Sequence, residues 1–105
     1  MPLPSGEIRS EVLAPLTGTL GAGSAATTVK LKPTSGASCM AFRVKRLGSS
    51  VGDLRWGLSG GADATHGYLL TDLDPDSGWI YAQTDAIDVY ATSAGAVDYE
   101  IMRLS

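Results

Sequence analysis

The chain has 105 residues, of which 18% are charged, and its formal net charge is −3 at pH 7. A chain of this length is near the common size of one domain, so we expect one compact core and no second domain. The negative charge argues against nucleic acid as a partner, because phosphate binding requires clustered lysines and arginines. The nearest basic cluster is Arg43, Lys45 and Arg46, and alternation places Arg43 and Lys45 on the solvated face of a strand.

The single cysteine, Cys39, excludes an intrachain disulfide. Its apolar neighbours predict a buried, unreactive thiol, which fits a reducing compartment. The first residues, MPLPSGEIRSEV, lack the apolar core of a signal peptide, and no apolar run approaches the roughly 20 residues of a membrane helix. We therefore expect a chain that is neither exported nor bound to a membrane.

Residues 1–24 differ from the rest of the chain because they are rich in proline and glycine. Proline removes a backbone donor and disfavours helix for the residue before it, so we predict an extended N-terminal arm. A disordered tail is the alternative, since chain termini are commonly loose. The apolar side chains of the arm are candidates for contact with a neighbouring subunit. These interface candidates are Leu3, Ile8, Val12, Leu13 and Leu16.

Residues 25–105 are predicted to form a β-domain. Short runs alternate between apolar and polar residues, and a period of two is typical of a strand with one buried face. Spacers rich in Gly, Pro, Asp and Ser separate the runs. The predicted strands are 27–32, 40–47, 53–59, 67–70, 78–83, 86–92 and 97–104. This spacing predicts an all-β fold, namely a single small antiparallel β-sandwich of about seven strands, jelly-roll-like or immunoglobulin-like, with a small barrel as the alternative.

His66, the only histidine, lies in a loop of small residues, with Asp63 three positions earlier. A hydrolytic histidine needs a nucleophile to activate and usually a carboxylate to orient it. We expect that orienting geometry to be missing, so we predict a turn or packing role for His66 and no catalytic residue. A pH-sensitive contact is the alternative, because the charge of histidine can change near neutral pH.

The segment DLDPDSG places Asp72, Asp74 and Asp76 like the first, third and fifth ligands of a calcium loop. Glycine falls at the seventh place rather than the sixth, and Gln83 at the twelfth place cannot supply a bidentate carboxylate. We therefore predict a solvated Asp-Pro turn and no metal or cofactor site. A weak surface cation site is the alternative.

Six aromatic residues could build a platform for a sugar or a peptide, but each ring buries a large area, so most are expected in the core or at subunit contacts. They are Trp56, Tyr68, Trp79, Tyr81, Tyr90 and Tyr99. A carbohydrate- or receptor-binding surface would use Trp79, Tyr81 and the aspartate turn. Tyr90 faces away from Ile87 and Val89 by alternation, on the side expected to be wet. An exposed aromatic on a strand is typical of an interface, so Tyr90 is a further interface candidate.

The order of these features resembles small structural proteins of tailed-bacteriophage virions. The resemblance covers Val29 to Arg103 and rests on the segments AFRV, LRW, ATHGYLL and DVYATSAGAVDYEI. It implies one short β-sandwich that serves as a capsid cement or decoration protein, or as a small part of the neck or tail. No active site comes with the resemblance, and the N-terminal arm lies outside it.

We therefore expect a non-enzymatic virion protein, assembled in the bacterial host cytoplasm, that stabilises the head by bridging capsid subunits. Its expected partners are the major capsid protein or other virion proteins, and its expected state is a homo-oligomer, with a trimer favoured. Edge strands and an extended arm suit pairing with other chains. The alternatives are a neck, tail or fibre component, the carbohydrate-binding sandwich and a hydrolase at His66.

Overall fold

The chain folds as an antiparallel β-sandwich, which confirms the predicted all-β class. The computed structural model describes residues 12–23, 25–32, 39–58, 60–82 and 84–104. Seven strands lie in these ranges. They are β1 (Val12–Leu20), β2 (Thr27–Lys30), β3 (Ala41–Arg46), β4 (Leu54–Leu58), β5 (Tyr68–Leu70), β6 (Ala86–Ala91) and β7 (Val97–Leu104).

The two sheets have the strand orders β1-β7-β3 and β2-β6-β4-β5. Strand β7 shows how the sequence produces this arrangement, since its residues alternate between buried and half-buried along all eight positions. The alternating apolar side chains of both sheets meet between them and are removed from water, which stabilises the fold. The largest fully buried side chains are Leu31, Cys39, Phe42, Val44, Leu54, Ile87, Val89, Val97 and Ile101.

Cys39 lies in this core, as its apolar neighbours predict. It is 1% exposed, and its Sγ donates to the carbonyl of Ala41 at 3.3 Å. Burial raises the pKa of the thiol, which keeps it in the less reactive protonated form. Arg43 and Lys45 stay partly exposed while Phe42 and Val44 are buried, so the predicted faces of β3 are confirmed.

The predicted strand 78–83 does not form a regular strand. The segment 75–80 instead runs along the free edge of β3, where Phe42 and Ile80 exchange backbone hydrogen bonds of 3.0 and 2.8 Å. Next to this pair the ladder is irregular, because the Val44 N–H donates to the side-chain Oγ of Ser77 at 2.9 Å and not to a backbone carbonyl. Pro75, which has no N–H, can only accept, and its carbonyl receives the Arg46 N–H at 2.8 Å. The segment therefore covers an edge without becoming a strand.

Part of the predicted arm is a strand within the chain's own sheet. Residues Val12–Leu20 form β1, which pairs antiparallel with β7. The register shifts between Leu13 and Leu16, so that Ala14 and Pro15 stand opposite one residue of β7. Proline is tolerated there because an edge strand and a bulge do not require its missing N–H. The domain boundary at residue 24 stays a prediction, and residues 1–11 lie outside the described residues.

Candidate functional site

The predicted interface residues of the arm have different places in the structure. Leu3 and Ile8 lie outside the described residues, and Val12 opens β1 opposite Leu104. Leu13 is half-buried, and Leu16 packs against the core of its own chain. Intrachain packing therefore accounts for Leu16, and contact with another subunit stays a prediction for the arm.

Tyr90 is not exposed, so the predicted solvated position is wrong. Its side chain is 9% exposed. The reason is the position of β6, which lies between β2 and β4 in its sheet. On the β2 side, Thr28 Oγ1 donates to Asp88 at 2.8 Å, and on the β4 side Arg55 lies directly opposite Tyr90. Alternation predicts which face a side chain occupies, but not which strands flank it.

The edge strands β1 and β2 lie on the same side of the sandwich. Among the described residues, β1 pairs with β7 and β2 pairs with β6, and neither has a second strand partner. The guanidinium of Arg103 connects the two edges, since it donates to the Ala14 carbonyl at 2.9 Å and to the Leu31 carbonyl at 2.8 Å. Leu31 directly follows β2. One face of the molecule thus presents two neighbouring strand edges.

The expectation that His66 lacks an orienting carboxylate is wrong, because Asp63 lies beside its ring. The Nδ1 atom lies 2.9 and 3.0 Å from the two carboxylate oxygens of Asp63, and the same carboxylate accepts the backbone N–H groups of Thr65 and His66. These contacts lower the pKa of Asp63 to about 2, with the Thr65 N–H as the largest cause and the His66 ring next. Asp63 therefore holds the loop and the ring orientation, and the histidine is exposed at the rim of a hollow of about 620 Å³.

A serine motif also occurs beside this hollow. The run Gly57–Gly61 has the spacing G-x-S-x-G, which in hydrolases places a nucleophile on a strand-to-helix turn. Here the run begins with the last two residues of β4, Gly57 and Leu58, and the described residues 60–67 lead into β5 without a helix. Ser59 itself lies outside the described residues. On the described contacts, Asp63 and His66 stabilise the loop that contains them.

The aspartates of the 72–78 turn point to different partners. Arg43 Nε lies 2.9 Å from both carboxylate oxygens of Asp76, and this bond is the largest cause that lowers the pKa of Asp76. Asp72 lies 3.7 Å from the guanidinium of Arg46. The part of the chain that the structure describes contains no group of three acidic, histidine or cysteine side chains that could hold a metal ion. Asp76 and Asp72 thus pair with arginines of β3.

A groove opens on the other side of the sandwich, where β5 ends the four-stranded sheet. Its volume is about 490 Å³. Alternation along β4 and β5 places Trp56, Leu58, Tyr68 and Leu70 on the core-facing side. Trp56 and Leu70 are buried, but Leu58 and Tyr68 are 54% and 68% exposed, so the second sheet does not cover this end of the core face.

The aromatic residues at the groove differ from those predicted to bind a sugar. Tyr81 is 78% exposed and Trp79 is half-buried, but neither lines the groove. Tyr68 and Trp56 do line it, and their rings stack with centroids 4.9 Å apart. The sequence signal for this pair was weak, because an aromatic at an alternating position normally indicates core.

Comparison with protein-family models, with curated proteins and with solved structures finds no match to this chain. Within the described residues, no helix is long and apolar enough to cross a lipid bilayer. The class of protein that the fold defines is therefore a small antiparallel β-sandwich, and its function is argued from its surfaces.

Proposed function

We propose that this chain is a non-enzymatic structural protein of a bacteriophage virion, a capsid cement or decoration protein that bridges shell subunits. The observation that carries the proposal is the pair of neighbouring edges formed by β1 and β2. The resemblance of Val29 to Arg103 to small virion proteins supports the same role. Host cytoplasm is then the place of assembly, and the virion is the final location.

The chemistry of the two edges favours pairing with another chain. An edge strand presents backbone N–H and C=O groups that a further strand can satisfy. Three of the four residues of β2, namely Thr27, Thr28 and Lys30, are exposed. In β1 the regular stretch from Leu16 to Leu20 follows the bulge and keeps its outer positions, Thr17 and Thr19, in solvent. Thr17 and Thr19 carry no charge that would repel an incoming strand, whereas β2 carries one charged residue, Lys30, at its end.

On a repeated lattice, several weak edge contacts of this kind combine into strong binding. Each contact with a shell subunit or with another copy is small, but several simultaneous contacts raise the overall affinity by orders of magnitude. If the chain binds the assembled shell and not its separated subunits, this binding stabilises the shell against disassembly by mass action. A trimer at a local threefold axis requires a head-to-tail contact, in which one edge of each copy meets a different surface of the next.

The first test concerns self-association of the purified chain. Thr17 lies opposite Glu100 of β7, so the variant Thr17→Lys gains a charge partner within its own sheet while placing a cation at the edge. We expect the natural chain to be an oligomer by light scattering and Thr17→Lys to shift it toward monomer. The matched control is Ala64→Lys, which places the same charge in the exposed β4–β5 loop and should leave the mass unchanged. A natural chain that is monomeric at every concentration tested would contradict self-association.

The second test concerns the particle. Purified virions that lack this chain should rupture at lower temperature and under milder osmotic shock than complete virions, and adding the chain back should restore them. Equal survival of both particles rules out cementing. Copy number separates the head from the neck, tail or fibre, since hundreds of copies per particle indicate the shell and a dozen or fewer indicate the tail axis.

A further inference from the structure

We propose that the groove between β5 and the segment 74–82 is a docking site for the N-terminal segment of the same chain, residues 1–11. These residues lie outside the described residues, whereas the groove and the start of β1 lie within them. The groove is at β5, which is the edge of the four-stranded sheet opposite to β2. The proposal is therefore independent of the assembly role, which depends on the β1 and β2 edges.

The groove exposes apolar side chains that belong to the core face. Alternation along β4 and β5 directs Leu58 and Tyr68 toward the other sheet, yet they are 54% and 68% exposed. On the opposite wall, Ile80 and Ala82 pack against the core and stay half-buried. Apolar groups that cover this surface remove it from water, which is favourable.

Strand β1 begins within reach of the groove. The backbone register places Val12 opposite Leu104, and Leu104 opposite Ala41. Phe42, the next residue of β3, is opposite Ile80, which lines the groove. Three strand spacings of roughly 4.8 Å each put Val12 about 14 Å from Ile80. An extended chain spans about 3.3 Å per residue, so residues 1–11 can reach Ile80 and continue for roughly 20 Å along the groove.

The open end of the groove is also the end at which β1 begins. Arg46, the last residue of β3, donates from Nε to the Gly52 carbonyl at 2.8 Å, so β4 starts beside the end of β3 and runs back toward its beginning. Trp56 accordingly contacts Phe42 near the start of β3, with ring centroids 5.4 Å apart. The exposed Leu58 lies two residues further along β4. A segment that leaves β1 at Val12 therefore meets uncovered apolar surface.

The composition of the chain selects the occupant. Outside the described residues, only the segment 1–11 contains large apolar side chains, namely Met1, Leu3 and Ile8. The segment 33–38 reads PTSGAS, and the remaining single positions are serines and a glutamine. The N-terminal segment is thus the part of the chain that can cover apolar side chains with apolar side chains.

The prolines of the segment suit an aromatic groove. Pro2 and Pro4 favour the extended polyproline II conformation, and grooves lined by aromatic rings bind such segments because little conformational entropy is lost. Tyr68 and Trp56 line this groove, with ring centroids 4.9 Å apart. In the proposed arrangement the run 2–4 packs on Tyr68.

The segment of the same chain is favoured over that of a second copy. A short tether gives the segment an effective concentration in the millimolar range at its own groove. A second copy in a micromolar solution cannot compete with this concentration. The groove is therefore covered within one chain, and it becomes accessible to another protein when the segment leaves.

The test is a spin-label NMR measurement on the full chain. Ser5→Cys provides a site for a nitroxide label, whereas Cys39 is 1% exposed and should stay unlabelled, which mass spectrometry of the treated natural chain verifies. We expect the amide signals of Leu58 and Tyr68 to lose most of their intensity relative to the sample with reduced nitroxide. The amide signal of Val51 should keep its intensity, because Val51 pairs with Ala96 at the other end of the sandwich.

Variants of the segment and of the groove examine the assignment. In the labelled chain, Leu3→Ser combined with Ile8→Ser should restore the signals of Leu58 and Tyr68, while the matched control Glu7→Ser should leave them broadened.

In the groove, Tyr68→Ala should reduce the broadening at Leu58. Its matched control, Tyr81→Ala, removes a tyrosine that is 78% exposed and does not line the groove, and it should leave the broadening unchanged.

Several results would overturn the proposal. They are unbroadened groove signals, equal broadening at Val51, and broadening that persists in the chain with both serine substitutions. A mixture of ¹⁵N-labelled natural chain with spin-labelled chain of natural isotope content tests the second copy, and broadening of the groove signals there would overturn docking within one chain. The effect of Thr17→Lys on the mass and the survival of particles are measured separately, so failure here is distinguishable from failure of the cementing role.

Discussion

Arg103 illustrates, at the scale of single residues, how one buried cation joins the two sheets. Its position on β7 lies in the alternating series of Val97, Tyr99 and Ile101, so its side chain enters the core face and is 8% exposed. Its guanidinium donates one hydrogen bond to a backbone carbonyl at each of the two sheet edges. Bonds that involve an ionised group are stronger than neutral ones, and a buried cation without them is costly.

The first prediction is that Arg103→Met lowers the free energy of unfolding by about 2–4 kcal/mol, because the carbonyls of Ala14 and Leu31 lose their donor. Urea denaturation followed by tryptophan fluorescence measures the change. The control Lys45→Met removes a partly exposed cation from β3 and should change stability by only about 0.5 kcal/mol. Equal effects of the two substitutions would show that Arg103 does not join the sheets.

The second prediction concerns the loop that carries Asp63. Because its folded pKa of about 2 lies below the unfolded value, the carboxylate contacts stabilise the loop at neutral pH and are lost as pH falls from roughly 4 toward 2. A ¹³C NMR titration of the Asp63 carboxyl should have its midpoint near pH 2. In His66→Ala the midpoint should rise only part of the way to the ordinary value, since the Thr65 N–H still donates. An ordinary midpoint in the natural chain would contradict the loop geometry.

At the scale of elements, β1 depends on two residues that are unusual in a strand. Pro15 is accommodated by the bulge, and Gly18 by the ring of Tyr99 that crosses it. A Cβ atom at position 18 would lie 2.5 Å from the Tyr99 hydroxyl and 2.6 Å from Cζ. These distances are far shorter than van der Waals contact, so any side chain forces the ring or the strand to move.

The third prediction is therefore that Gly18→Ala destabilises the chain by about 1–3 kcal/mol, since the buried Tyr99 ring has to shift against the core. Thermal unfolding by circular dichroism gives the value. Gly48→Ala is the matched control, because a Cβ atom there has no neighbour within 4 Å, and it should have little effect. A neutral Gly18→Ala would mean that β1 does not pack on β7 in this register.

At the scale of the whole molecule, the first and last strands are neighbours. Strand β1 pairs with β7 over most of its length, and β7 in turn pairs with β3. Contacts between sequence-distant strands close large loops before they contribute stability, so folding of such sandwiches is expected on the scale of milliseconds to seconds. Strand β1 lies before the predicted boundary at residue 24, but its pairing with β7 makes it part of the three-stranded sheet.

The fourth prediction compares two shortened chains. A chain that starts at Val12 keeps β1 and should unfold cooperatively. A chain that starts at Ala25 loses β1, including the buried Leu20, and frees the edge of β7, so it should lack a cooperative transition or aggregate. Circular dichroism melting and one-dimensional NMR measure both. If the chain from Ala25 folds as well as the chain from Val12, β1 is an appendage and the predicted boundary at residue 24 is the structural one.

The local alternation of residues was sufficient to predict most strands. The runs around Phe42, Trp56, Val89 and Ile101 each become a strand whose predicted apolar face is buried, apart from the exposed Leu58 at the end of β4. In β6 the opposite face is buried as well. The segment around Ile80 has the same alternation but forms a cover for β3, because Ser77 and Pro75 interrupt its backbone ladder. Alternation reports which side chains share a face, and it does not report whether the backbone groups find a partner strand.

The candidate sites were less predictable for the same reason. Contact between Asp63 and His66 is a property of the local turn, yet the open groove arises because the three-stranded sheet leaves Leu58 and Tyr68 uncovered. Tyr90 is buried because two strands flank β6, which no run of residues around it records.

By itself, the sequence determined the all-β class, the apolar faces of the strands and the buried Cys39, since each follows from residues adjacent in the chain. Only the tertiary structure decided that β1 and β2 lie together as free edges, that Arg103 spans them and that Tyr68 is left open above Trp56. Pairing of distant strands sets these features, because the free energy of a sheet edge or a groove depends on which neighbour covers it.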